Sequence, residues 1–434
     1  MPGDSSTCTA TSRNGPLICT ASIQPKMSTI HLVRRPERRR WSAVAIGRPV
    51  QAPHAARLDP PMIPPRTTGP SDSASRPTEL RGRNCRALFL VFFERESSRQ
   101  GRMRLPSAAF IVAIAILPLA AQQPAQFQER DFLTRVRRLT VEGKRAGEGY
   151  WSPDGRRIVF QSEREPGNPF YQIYTVDLAT GETKRISPGL GKTTCSFFRP
   201  GSDEIEFAST HADPKSKQLQ DEELAFRASG KQRRYSWDYD EEMDIYAYGE
   251  KTGTLKRLTT ARGYDAEGSY SPDGQWIVFS SMRDAYGRSL DQRERKMLDE
   301  NPSYFAEIYI MRADGSGQKR LTNVPGYDGG PFFTHDGSRI VWRRFDEQGL
   351  IADVWTMKPD GTDQQQITDF GAMSWAPYEH PSGEYFIFAS NKLGFENFEL
   401  FIVDAQGTKE PVRVTYSDGF DGLPVPSPDG KTLA

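Results

Sequence analysis

Three acids sit at one offset in a repeated text. Asp265, Asp328 and Asp421 each follow a Gly and an aromatic residue, and each lies six residues before a turn signal. Arg164, His211, Arg283 and Lys392 share a second offset. A ring of carboxylates beside a ring of bases can hold a peptide terminus or another polar ligand through charge-assisted hydrogen bonds. The same groups can instead pair across neighbouring units as structural salt bridges. Tyr235, Trp237 and Tyr239 alternate in one segment. They offer stacking faces for a peptide or a sugar, although alternation at period two also marks a strand. The acids Asp238, Asp240, Glu241, Glu242 and Asp244 lack the glycine spacing of a calcium loop. They read as a solvated approach to the strand at Ile245.

Other chemistry is looked for and not found. No Gly-x-Ser-x-Gly elbow supports a serine nucleophile. No His-Glu-x-x-His is present and the five histidines are scattered, so no metal site is expected. Gly189-Leu190-Gly191-Lys192-Thr193 imitates the end of a phosphate loop, but a strand and not a helix follows it, so nucleotide binding is rejected. No cofactor motif and no catalytic residue is expected. The chain has 57 basic and 56 acidic side chains, of which residues 1–121 hold 18 and 7. The remainder is therefore acidic, which argues against a nucleic-acid partner. Cys195 stands alone after residue 121, so that part of the chain has no disulfide framework.

The elements that must position these residues repeat. Ser152-Pro153-Asp154-Gly155 recurs as Ser271-Pro272-Asp273-Gly274 and Ser427-Pro428-Asp429-Gly430, with variants from Thr334 and His380 and a degraded copy at Arg199-Pro200. Pro presets φ and Gly accepts positive φ, so each is a turn. Short strands follow at Ile158, Ile205, Ile277, Ile340 and Phe386, then at Ile173, Ile245, Ile308, Val354 and Leu400. After a Gly turn each unit ends on a segment such as Arg257-Leu258-Thr259 or Arg320-Leu321-Thr322. Successive turns at 334, 380 and 427 are spaced by 46 and 47 residues. Four short strands in such a unit make a propeller blade. The predicted fold is an all-β β-propeller of four-stranded blades, with five complete blades and a partial sixth.

Ser-Pro-Asp-Gly, a β-branched or aromatic strand, Ile-Tyr, Asp-Gly and Arg-Leu-Thr together resemble the WD40-like repeat of TolB-type six-bladed propellers, over residues 135–434. The resemblance implies a secreted or periplasmic propeller. TolB itself also carries a preceding α/β domain and contacts an envelope lipoprotein, and residues 121–135 are too few for that domain. Similar propellers also precede secreted peptidase domains. The sixth unit begins at Leu423 and stops at Ala434 inside its second strand, so the propeller is read as truncated. Val136-Arg137-Arg138-Leu139-Thr140 copies the last-strand signature and is expected to close the ring as the outer strand of blade six.

Residues 1–102 are rich in Arg, Pro and Ser without period, and are read as disordered and not translated. Residues 103–121 read as a signal peptide beginning at Met103, which leaves no transmembrane span in the mature chain. Turns at Pro-Asp-Gly fall on one face, and the links between second and third strands fall on the other. Two insertions, 211–243 and 284–305, lie on that second face. Ser289 is expected to cap a short helix in the second insertion, and the first gives a weaker helix signal. The reading is a monomeric periplasmic or extracellular scaffold whose insertion-bearing face binds a protein, peptide or polymer. Asp265, Asp328, Asp421, Arg164, Arg283, Lys392, Trp237 and Tyr239 are its candidate contacts. The alternative is a substrate-gating propeller of a secreted peptidase with its catalytic domain beyond residue 434.

Overall fold

A computed structural model describes residues 127–231, 233 and 237–434, and the backbone of Cys19–Ile23. The expected signal peptide, the rest of residues 1–102, and Tyr235 lie outside the described residues.

Five four-stranded antiparallel sheets follow one another in chain order. Blade 1 comprises Arg145–Trp151, Arg157–Glu163, Gln172–Asp177 and Thr183–Arg185. Blade 2 comprises Thr193–Phe198, Glu204–Ser209, Asp244–Gly249 and Leu255–Arg257. The inner strands of blades 3, 4 and 5 are Asp265–Tyr270, Asp328–Phe333 and Ser374–Glu379. Their second strands are Trp276–Ser281, Ile340–Phe345 and Tyr385–Ser390.

The repeated motifs are hydrogen-bonding devices. Ser152 Oγ donates to Asp154 Oδ1 at 2.6 Å and accepts from the Arg157 amide at 2.9 Å. Gly155, at φ +69°, lets the chain turn back into the second strand. A hydroxyl just after the last strand, Ser187 in blade 1 and a Thr in blades 2 to 5, ties each sheet's outer edge. Thr322 Oγ1 accepts from the Ile308 amide and donates to buried Glu307, while Arg320 pairs with the same carboxylate at 2.5 Å. Thr259 with Asp244, and Thr415 with Glu399, repeat the arrangement.

The hydrophobic core lies between blades. Val159 and Ile173 meet Ile205 and Phe207 of blade 2, and Val341 and Val354 of blade 4 meet Phe386 and Phe388 of blade 5. Each lone sheet would expose two apolar faces, and packing around an axis buries both.

The sixth blade differs from expectation. Leu133–Arg138 belongs to a three-stranded sheet in which Cys19–Ile23 lies between it and Thr432–Leu433. Five complete blades are therefore present, and a sixth closed directly by the N-terminal strand is not confirmed. Thr432–Leu433 offers only two residues of edge, too short a ladder to pair a six-residue strand. Phe132, Leu133 and Leu433 pack on blade 5, while Leu139 and Ala434 pack on blade 1. Trp151 Nε1 of blade 1 donates to the Val425 carbonyl at 2.9 Å.

Both insertions are helical. The first carries Ser216–Ala228. The second carries Arg283–Gly287 and Gln292–Glu300. The cap of the latter helix is Asp291, not Ser289. Asp291 accepts from the Glu294 amide, and the Glu294 side chain accepts from the Asp291 amide. No helix among the described residues is long and apolar enough to cross a membrane.

Candidate functional site

Each inner strand carries a bulge at one fixed place. The residue four before each turn has a left-handed backbone: Glu148, Cys195, Glu267, Gly330 and Ala376 in the blades, and Leu423 in the sixth unit. A non-glycine residue there costs roughly 1–2 kcal/mol, and a bulge re-aims its side chain. All six residues line one cavity of about 1440 Å³ along the propeller axis. Both insertions contribute to its wall, the first through Arg227, Trp237 and Tyr239 and the second through Asn301, Ser303 and Tyr304.

Deep in this channel the polar groups form a network. Glu267 accepts from Tyr327 Oη at 2.5 Å, from the Gly330 amide at 2.6 Å and from Arg343 Nη2 at 3.2 Å. A side chain at Gly330 would overlap the Arg343 guanidinium, so this glycine admits the arginine. Tyr150 Oη donates to Glu148 at 3.1 Å. Burial, then repulsion from Glu267, pushes the Glu148 carboxyl above its usual range. Burial also pushes the Cys195 thiol well up, which leaves it protonated and a poor nucleophile. Tyr150, Phe197, Phe332 and Tyr378, each two residues closer to its turn than the bulge, form an aromatic cluster with ring centroids 4.9–6.5 Å apart, of which Tyr150 and Phe332 line the cavity.

At the mouth, Glu163 collects Lys144 at 3.3 Å, Arg145 at 2.9 Å and Arg227 at 2.7 Å. Trp237 Nε1 donates to Tyr264 Oη at 3.0 Å, and the Tyr239 ring stands edge-on to Tyr264 and Tyr327.

Of the residues singled out from sequence, Trp237 and Tyr239 line the channel. The others lie within the blades and their links. Asp265 is fully buried, pairs with Arg283 at 2.6 Å and accepts from Ser281 Oγ. Asp328 pairs with Arg344 at 2.7 Å. The Asp328 pair joins the first and second strands of one blade, and the Asp265 pair joins a first strand to the helix that follows the second strand of the same blade, so neither bridges neighbouring blades. Asp421 accepts from Ser417 Oγ at 2.8 Å. Arg164 lies over the Phe160 and Tyr174 rings, and Lys392 donates to the Phe370 carbonyl. Within the acidic run, Asp238 and Asp240 both pair with Lys192. No cluster that could hold a metal ion occurs among the described residues.

Sequence reasoning missed the channel ring. Its signal is a fixed offset of four residues before each turn, where residue types vary while their neighbours repeat.

No family profile matches the chain. It is 26% identical over 216 residues to an uncharacterized protein of Agrobacterium fabrum, covering 45% of this chain and 64% of that one. It is 25% identical over 150 residues to the uncharacterized peptidase YuxL of Bacillus subtilis, covering 32% and 22%. The chain thus spans less than two thirds of the length of these relatives. A solved structure assigned as TolB from Agrobacterium tumefaciens superposes with a TM-score of 0.50 at 20% identity, covering 69% of this chain and 92% of that one. The fold is a TolB-like β-propeller. In such a propeller the blades are a rigid frame, and residues on loops and bulges carry specificity.

Proposed function

We propose that this TolB-like propeller is a binding scaffold, acting in the periplasm or outside the cell, that seats a peptide or a peptide segment of a protein in its axial channel from the insertion-bearing face. The observation that carries this reading is the cavity of about 1440 Å³ walled by six bulge residues and by both insertions. The aromatic rings in its wall, among them Tyr150, Phe332, Trp237 and Trp375, suit side-chain packing, and its few buried polar groups suit orientation. The chain acts as a monomer on this reading, and residues 103–121 direct its export; a start at Met103 would take Cys19–Ile23 out of the closing sheet. N-terminal sequencing of the mature protein should find no residue before 122.

Panning a phage-displayed peptide library on the full chain tests the binding face. Enriched peptides should lose roughly tenfold or more in affinity with Trp237→Ala, the usual cost of an aromatic anchor. They should be unaffected by Trp276→Ala, beside the turns of the opposite face. Absence of enrichment, or loss with Trp276→Ala alone, overturns the reading.

The similarity to a peptidase over 150 residues supports a second reading, in which the propeller gates substrate to a catalytic domain beyond residue 434. A peptidase motif encoded in frame after that codon supports it, and an immediate stop codon removes it.

A further inference from the structure

Blade 1 breaks the repeat at the channel mouth. Seven residues before the first residue of the turn, blades 3 and 4 carry Tyr264 and Tyr327, and eleven residues after it they carry Met282 and Phe345. Tyr264, Met282 and Tyr327 are buried in one cluster, and Phe345 packs against it. At the same two positions blade 1 carries Arg145 and Glu163. An ion pair at 2.9 Å thus replaces an apolar contact. The Glu163 side chain is only 3% exposed, and one guanidinium would balance its charge. It meets three cations instead. Arg145 Nε donates to Oε2, while Arg227 Nη1 and Lys144 Nζ approach Oε1 at 2.7 and 3.3 Å. All four residues line the cavity.

These cations differ in how far they are already satisfied. Arg227 also donates to Glu223 at 2.6 Å and to the Pro169 carbonyl at 2.9 Å. Glu223 pairs with Arg233 as well, at 2.6 Å. Lys144, Arg145, Arg227 and Arg233 therefore stand against two carboxylates. Only the Nε of Arg145 is hydrogen-bonded, and its Nη1 and Nη2 have no such partner among the described residues. Its guanidinium lies 4.6 Å from the centre of the Tyr171 ring, which holds its plane. A Cβ on Gly143 would fall 2.9 Å from the Glu163 carbonyl, so this glycine lets the link that carries Lys144 close on the pair. Deeper in the channel Arg343 is balanced by Glu267 at 3.2 Å. Asp346 and Glu347, which also line the cavity, belong to blade 4, which does not adjoin blade 1.

We infer that Arg145 and Lys144, held by Glu163, form a site at the channel mouth that receives a free carboxylate of a peptide ligand. This rests on the peptide-binding reading above. The outer edge of a guanidinium presents two parallel N–H groups, which match the two oxygens of a carboxylate. Stacking on Tyr171 and the bond from Nε to Glu163 fix that edge beforehand, so little freedom is lost on binding. Lys144, whose side chain is largely exposed, adds a second charge. Asp346 and Glu347 repel an anion from the blade 4 side of the cavity and so favour its arrival at blade 1. The carboxylate comes either from a peptide's carboxy terminus or from an Asp or Glu side chain.

The test passes three pools of acetylated tetrapeptides over the immobilised full chain and measures retention by mass spectrometry. The first pool ends in a free carboxylate and lacks Asp and Glu. The second is amidated and contains Asp and Glu. The third is amidated and lacks both. The first or the second pool should be retained roughly tenfold or more over the third, the scale of a lost charge contact. Which of the two is enriched identifies the source of the carboxylate. Arg145→Gln removes the charge and the fork. Arg145→Tyr combined with Glu163→Met restores the residue types of blade 3 and should fold. Both variants should abolish the enrichment and leave retention of the third pool unchanged. Equal retention of all three pools overturns the carboxylate site and leaves the peptide-binding reading standing. An enrichment that survives in both variants also overturns the site, and so does loss of all three pools in both, which would show that the pair serves the fold. If the unaltered chain retains no pool, both readings fall.

Discussion

Blades 1 to 3 and blades 4 and 5 wall the same channel with one backbone geometry and different side chains at the bulges. The first half presents Glu148, Cys195 and Glu267 at its bulges, with Glu206 behind them. The second half presents Gly330 and Ala376, flanked by Phe332 and Trp375. The insertions belong to the first half as well. The strands and turns are interchangeable between halves, so the difference teaches that the frame is set by the repeat and the site by the positions the repeat leaves open. Arg343 joins the halves, since it leaves blade 4 through the space at Gly330 and reaches Glu267 of blade 3.

The largest effect should come from cutting that link. Arg343→Ala strands Glu267 among buried groups and removes the guanidinium from between the rings of Tyr327 and Trp375. Breaking a buried pair by removing one partner costs about 3–5 kcal/mol. Urea unfolding of the full chain checks this. A loss below about 1 kcal/mol, within the range of an exposed pair, would mean the halves are not coupled through this residue.

The frame was legible in the sequence because each of its parts is encoded locally and then copied. Pro-Asp-Gly turns, alternating strands and the Arg-Leu-Thr edge all act within a few residues of themselves. The channel ring was not, because it depends on an offset where copies disagree, and variation hides a position from a search for likeness. Glu206 was visible in principle as a charge at a second-strand position where the other blades carry Val159, Val278, Val341 and Ile387. The repeating acids were found but their partners were not. Asp265 meets Arg283 inside its own blade, because the first residue of an inner strand lies opposite the last residues of the second strand. The closing sheet could not be read from residues 136–140, since Cys19–Ile23 comes from more than a hundred residues away and carries no repeat signature.

A second way to sharpen the contrast uses pH. Burial pushes Asp265 up to about 6 and Glu307 up to about 7, both in blade 3. Folded values above the unfolded ones mean the folded state holds these protons longer. Their contribution to stability is complete below about pH 4, the unfolded range, and is lost as pH rises through 6 and 7. Thermal unfolding should therefore show up to about 5 kcal/mol less stability at neutral pH than near pH 4.5 from these two groups, at about 1.4 kcal/mol per pH unit for each group. Glu307→Gln should flatten the upper part of that slope. An unchanged slope would remove Glu307 from the account.

Next in size is a gain. Glu206→Val should stabilise the propeller by about 1–3 kcal/mol, since it removes a fully buried carboxyl with no hydrogen-bond partner among the described residues. The reverse change in the second half, Val341→Glu, should destabilise, because the next inner strand offers Pro377 in place of Gly268, the glycine that admits Glu206. Opposite signs for the two swaps would confirm that blade 2 carries a deliberate exception. A loss of stability in Glu206→Val would show that the carboxyl serves the fold.

The smallest effect tests the boundary itself. Tyr150 belongs to both halves: its ring packs with Phe332 and Tyr378, and its hydroxyl donates to Glu148. Tyr150→Phe keeps the ring and deletes the donor, a change worth about 1 kcal/mol. The hydroxyl favours the ionised carboxylate, so without it Glu148 should titrate at still higher pH. Carbon-13 shifts of labelled glutamate carboxyls, followed against pH, would register the change. If the Glu148 resonance titrates as before while stability falls, Tyr150 belongs to the second half alone, and the line between the two halves runs through its hydroxyl rather than its ring.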